Sequence, residues 1–268
     1  MKKALIVTLA ALFLCSRASA EWKEEKGDHF IVYYADEAAQ PKDILLKAEH
    51  SYTKIANDLG YARYSNFWQW DKRVKIYVHP SKGSFQKTTG QPDWSDGMAS
   101  YLDKSIHTIQ GTENFLNNIL PHEVTHLIFR DFVGPESQVP LWLDEGVAQW
   151  EEDDKRAMAI KLMPSFLRRA QAFTLGQLTA TDIRRESDPE RVGIFYVEAI
   201  SVVDYLIHTY GASNFTDFCR GLRDRKPFEE ALRIAYRPSI QSLEELETKW
   251  ADFEFALGRQ ASAETLQS

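Results

Sequence analysis

Pro121-His122-Glu123-Val124-Thr125-His126, and Trp142-Leu143-Asp144-Glu145-Gly146-Val147-Ala148 downstream of it, decide how this 268-residue chain is read. Two histidines four apart return to nearly the same side of an α-helix, because each residue turns the chain by about 100°. Their imidazoles can grip one metal ion, and Glu123, next to His122, can reach a water bound to that metal. Zinc used in catalysis takes three protein ligands and keeps one position open. Glu145, separated from His126 by eighteen residues, offers the third. Asp144 is its rival, and on a helix the two carboxylates point about 100° apart.

The pattern HExxH, eighteen residues, then the Glu of a W-L-x-E-G-x-A segment resembles the gluzincin metallopeptidases, in particular the aminopeptidase N-like branch and the bacterial peptidase MA-like domains. The strong match runs from Ile119 to Glu151. The resemblance implies one zinc per chain held by His122, His126 and Glu145, with Glu123 as general base and a peptide or protein as substrate. It favours Glu145 over Asp144, because the ligand of those families stands there. It also implies an α+β gluzincin-like fold, with a small mixed sheet as N-terminal lobe, a mainly helical C-terminal lobe and the zinc site between them.

Two weaker likenesses extend the pattern. Tyr196 heads Tyr196-Val197-Glu198-Ala199-Ile200 much as the catalytic tyrosine of aminopeptidase N-like enzymes heads a Y-E-K-G segment. That implies Tyr196 as a donor to the reaction's oxyanion, against the alternative of core packing. Gly97-Met98-Ala99-Ser100 stands where those enzymes carry a G-x-M-E-N strand along the cleft, which implies Met98, Ala99 and Ser100 as the substrate-pairing strand; the alternative is an ordinary sheet hairpin. The glutamate that holds a free amine in the family has no match, so an endopeptidase is expected. Thermolysin-like gluzincins place an Asp four residues after the ligand Glu, where this chain has Gln149. Asp131, Asp144 and Glu151 are the candidates to orient the zinc histidines instead. A reading of a different class is a zinc-holding scaffold or assembly factor of the cell envelope with a protease fold. Glu123 speaks against it, since holding a metal needs only the ligands.

Residues 1–20 read as a removable export signal: Lys2 and Lys3, an apolar core from Ala4 to Leu14, and the small-residue site Ala18-Ser19-Ala20. A core of about eleven residues is too short to anchor in a bilayer. Cys15 raises lipid anchoring, but Leu14 sits where lipoprotein signals carry a small residue. Cleavage after Ala20 and a periplasmic or secreted protein are therefore expected. No later segment reads as long and apolar enough to span a membrane.

Removing twenty residues from 268 leaves 248 and a single cysteine, Cys219, so no disulfide can form within the mature chain. Phe215, Phe218 and Leu222 around it suggest a buried structural thiol. Stability must come from an ordinary core, for which 7 Trp, 11 Tyr and 15 Phe supply area. A net charge of −7 without a basic run argues against nucleic acid or an anionic membrane as partner. The acidic run Glu151-Glu152-Asp153-Asp154 reads as a solvated helix face. His29, His50, His79, His107 and His208 lack ligand spacing and read as surface or satisfied core residues.

The sheet lobe is expected over residues 21–111. His29–Tyr34 and Val74–His79 read as strands, with an amphipathic helix between them from Asp43 to Leu59 (Leu46, Ala48, Tyr52, Ile55, Leu59) that stops at Gly60. Met98–Leu102 and Ser105–Ile109 read as a strand pair turning at Asp103-Lys104. The helical lobe follows over 112–258. Pro121 either opens the zinc helix or kinks one begun near Glu113. Leu120, Val124, Leu127 and Ile128 anchor that helix to the core. Gly134-Pro135 ends it, and Pro140 opens the next segment. Further helices are expected at Tyr196–Tyr210, Ser213–Leu222 and Pro227–Tyr236. A last one runs from the capping box Ser242-x-x-Glu245 to Leu257, before a flexible tail over 259–268.

Overall fold

The structure, a computed structural model, describes residues 22–61, 68–93 and 95–265. The expected export signal over residues 1–20, with Cys15, lies outside the described residues. Strand β2 (Phe30–Tyr34) buries Phe30, Val32 and Tyr34, and β3 (Val74–His79) buries Val74, Ile76 and Val78. This alternation is what a sheet with one face on the core requires. The two pair in parallel, and β3 pairs in parallel with β5 (Ser105–Ile109). Strands β1 (Lys23–Lys26) and β4 (Gly97–Ser100) add antiparallel edges, giving the order β1-β2-β3-β5-β4. Strand β1, Lys-Glu-Glu-Lys, carries no apolar signal. Its charges protect an edge instead.

Helix α1 (Pro41–Asp58) lies between β2 and β3 in the chain and packs on β2 through Ile44, Ala48, Tyr52 and Ile55. Ala48, Tyr52, Ile55 and Leu59 are buried as expected, but Leu46, expected inward, is 71% exposed, and Ile44, one turn before Ala48, is buried instead. Gly60, at φ +73°, turns the chain out of it. A short helix, α2 (Lys82–Thr89), capped by the Ser81 hydroxyl, sets Phe85 against the sheet's other face. Between β4 and β5 the chain turns at Tyr101–Lys104, so Leu102 is exposed at a turn rather than part of a strand.

After β5 the chain is helical. A π-helical turn (Phe115–Ile119) runs directly into α3 (Leu120–Val133), which packs beside α1 and β4. Then follow α4 (Leu141–Trp150), α5 (Asp153–Arg168), α6 (Leu175–Ala180), α7 (Pro189–Tyr210), α8 (Ala212–Arg223), α9 (Phe228–Ala235) and α10 (Leu243–Thr265). Helix α7 is the hub, touching α4, α5, α8 and α10. By length and composition it could cross a membrane, which corrects the expectation that no such segment follows the leader. From Ile194 to Leu206 it is apolar on most sides because neighbours surround it, and eleven of its 22 residues are buried. It also begins at Pro189, capped by Asp188, so Tyr196 lies two turns inside the helix and not at its head.

At the chain's end α10 continues past Leu257 to Thr265, through part of the expected flexible tail. Ser242 caps it as expected, but Glu245 reaches back to the N–H of Gln241 rather than that of Ser242. Cys219 is fully buried, and that burial lifts its thiol to about 12.

Candidate active site

Helix α3 presents two unlike faces. Leu120, Val124, Leu127 and Ile128 are buried against the core as their spacing predicts. His122, Glu123 and His126 stay partly exposed on the other side. Pro121 falls in the first turn, where its missing N–H leaves no bond unmade, and the π turn before it carries the chain in without a break. Helix α4 brings Glu145 opposite. Its neighbours Trp142, Leu143 and Val147 are fully buried, and Gly146 lets the helix close onto α7: a Cβ there would stand 2.7 Å from the carbonyl oxygen of Ala199.

One ligand atom each from His122, His126 and Glu145 lie within 4.8 Å of one another. The two Nε2 atoms are 3.1 Å apart, with the rings near perpendicular at 84°. Two nitrogens bound tetrahedrally to one zinc stand about 3.3 Å apart, so the pair is spaced for a shared ion. Each ring's far nitrogen is occupied. Nδ1 of His122 meets Oε1 of Glu152 at 2.9 Å, and Nδ1 of His126 meets Oδ1 of Asp144 at 3.2 Å. A carboxylate at Nδ1 fixes the proton there and turns the Nε2 lone pair toward the partner ring. The donor set of two neutral imidazoles and one carboxylate fits zinc.

The carboxylates are themselves braced. Arg130 reaches Asp144 through Nη2 at 2.6 Å and Nε at 3.1 Å, and Lys155 reaches Glu152 at 2.7 Å. Burial alone would raise both acids. The His126 bond and charge together with Arg130 instead hold Asp144 low, and the His122 and Lys155 bonds hold Glu152 low. Burial would likewise lower His126, but Asp144, then the charges of Glu145 and Glu123, lift it to about 9. The three carboxylates of Asp144, Glu145 and Glu123 around His126 make this a place that favours positive charge.

Two open choices close here and one expectation changes. Asp144 is no rival ligand, since it is bonded to His126 and Arg130. The acidic run is a solvated face only at Asp153 and Asp154. Glu151 and Glu152 are 5% and 3% exposed, Glu151 pairing with Lys54 at 2.6 Å and Glu152 with His122. Of the candidates to orient the histidines, only Asp144 does so; Asp131 bonds Lys104 and Trp68, and Glu151 bonds Lys54. Glu152 was missed because it lies thirty residues from His122, and four acids in a row give no sign of which one turns inward.

The remaining residues fall around this centre. Tyr196 shares with His122 and Glu145 the wall of a cavity of about 670 Å³. Burial, then the charge of Glu145, raises its phenol, so it stays an O–H donor at neutral pH. Met98, Ala99 and Ser100 lie on β4, which ends the sheet beside α3. Three other histidines are satisfied elsewhere, Nδ1 of His29 meeting Glu49 at 2.7 Å and Nε2 of His79 meeting Nδ1 of His107 at 3.0 Å, while His50 and His208 are exposed.

A mixed sheet followed by a helical half, with HExxH on one helix and a glutamate on the next, defines the gluzincin class of metallopeptidase. The family model described as Peptidase MA superfamily matches residues 48–255, and the chain belongs to that superfamily. No curated protein matches the chain.

Proposed function

We propose that this protein is an exported zinc endopeptidase in which His122, His126 and Glu145 hold the metal and Glu123 is the general base. The observation that carries the reading is the convergence of both Nε2 atoms, 3.1 Å apart, beside Glu145, with each Nδ1 tied to a carboxylate. A zinc ion there supplies Lewis acidity, polarising the scissile carbonyl and making water acidic near neutral pH. Glu123, one residue from His122 and on the open face of α3, takes the proton of the attacking water and delivers it to the leaving amine. Tyr196, kept protonated, donates its O–H to the developing oxyanion. Arg130-Asp144 and Lys155-Glu152 hold the two imidazoles in the ligating tautomer.

The edge strand β4 suits an extended substrate. Among the described residues it pairs with β5 alone, leaving its outer backbone edge for a peptide to add to the sheet. No glutamate on Met98–Ser100 stands ready to hold a free amine, which favours internal bonds. Lys2-Lys3, the apolar stretch after them and Ala18-Ser19-Ala20 support export.

A peptide library incubated with the purified protein tests the reading. Cleavage should stop when a chelator removes the metal and return with added zinc, at about one zinc per chain. Cleavage that persists after the metal is gone would assign the activity elsewhere.

A further inference from the structure

The cavity beside the metal group is walled by two helices in register. Met158, Leu162 and Phe166 of α5 recur every four residues, so they share one face. Ile194, Val197 and Ile200 of α7 line it as well. The apolar side chains do not close on each other: Met158 remains 44% exposed, while Leu162 and Phe166 are only partly buried. The reason lies at Gly193. It stands on the α7 wall four residues before Val197, and a Cβ there would meet no heavy atom within 4 Å. Its φ is not positive, so the backbone does not demand glycine, and glycine inside a helix is less favourable than alanine. A larger residue would fit the helix and fill the space. The cavity stays open there against local preference, and His122, Glu145 and Tyr196 share its lining.

We propose that this cavity is a specificity pocket for one large apolar side chain, aromatic or long aliphatic, of the residue flanking the scissile bond, and that Gly193 sets its size. The proposal rests on the zinc peptidase reading above for what the side chain is attached to. The apolar walls account for affinity, since a buried side chain of this size gains in proportion to the area withdrawn from water. Because His122 and Glu145 belong to the same lining, a side chain held here belongs to a residue close to the metal position. Substrates with glycine or aspartate at that position forgo the gain, so the preference appears as selectivity among peptides.

Hydroxamates test the pocket apart from turnover, because they bind zinc without being cleaved. Acetohydroxamate, 4-methylvalerohydroxamate and 3-phenylpropionohydroxamate share one chelating group and differ only in the apolar arm. Calorimetry on the zinc-loaded full chain should show the two longer compounds binding roughly ten- to a hundredfold tighter than the first. Gly193→Leu should bring that ratio to near one, with zinc content and melting temperature kept. Met158→Glu, at an exposed position that tolerates charge, should shrink the ratio too, and guards against misfolding of the first variant. Equal affinity for all three compounds, or a ratio that survives both substitutions, overturns the proposal. A ratio that behaves as expected while no peptide is ever cleaved leaves the pocket standing and removes the peptidase reading. Metal-dependent cleavage with a flat ratio does the reverse.

Discussion

Asp144 and Glu152 never touch the metal position, yet each fixes which nitrogen of a histidine is free to do so. Asp144→Asn replaces an acceptor-only group by an amide and leaves Arg130 without its ionic partner. Glu152→Gln does the same to Lys155. Either change should weaken zinc binding roughly 10- to 100-fold, the scale of such supporting contacts, in competition against a chromophoric chelator. Unchanged affinity in both would mean the imidazoles are oriented by something else. Tyr196→Phe should retain metal and slow turnover roughly ten- to a thousandfold, the scale of one oxyanion donor. At this scale the sequence was legible where spacing on one helix sets geometry, as for His122, Glu123 and His126. It was illegible for Glu152, whose place follows from the α4–α5 junction and from no periodicity.

The close approach of α4 to α7 is a property of elements, and Gly146 is its hinge point. Gly146→Ala would press a methyl against the Ala199 carbonyl, so either α4 shifts, taking Glu145 with it, or α7 does. Overpacking of this kind costs about 1–3 kcal/mol. The variant should therefore melt lower and also bind zinc more weakly, a pair of effects that a surface alanine would not produce. A Gly146→Ala protein with native melting temperature and zinc affinity would refute that close contact. Elements with strong signals emerged from sequence alone: β3 and β5 within their observed bounds, α1, α3, α8 and α9 within a few residues, except the start of α3, where two entries stayed open. Helix α5 did not, since Pro164 inside it reads as a break and its apolar face is turned partly to the cavity rather than the core. Helix α2 is short, β1 has no apolar residue, and the front of α7 is masked by Pro189 and Gly193, both of which read as breaks.

Across the whole molecule, buried carboxylates set how stability follows pH. Burial lifts Glu198 to about 8, Glu254 to about 7 and Glu151 to about 7, the last despite Lys54. The folded state therefore holds protons that the unfolded chain releases near its ordinary carboxylate range. Their contribution is complete below that range and is lost as pH rises through 7 to 8. Asp144 and Glu152 act oppositely, losing theirs as pH falls through their lowered values. Glu198 accepts the Phe173 N–H with one oxygen, a bond that glutamine keeps. In chelator, Glu198→Gln should match the native protein at pH 5 and exceed it at pH 8, by on the order of a few kcal/mol at most. A native protein whose melting temperature climbs from pH 5 to pH 8, with the variant following it, would contradict this assignment.

The central claim is that the molecule turns a bound metal into peptide hydrolysis through Glu123. Glutamine at that position is nearly isosteric, ligates nothing and cannot accept water's proton. The decisive measurement is cleavage of the best library peptide by native protein and Glu123→Gln side by side, with zinc quantified in both. Equal zinc and a rate lower by about 10²- to 10⁴-fold in the variant is the predicted result. Equal zinc and equal rates would contradict it, and full zinc with no cleavage by either protein would make the chain a metal-holding scaffold rather than an enzyme.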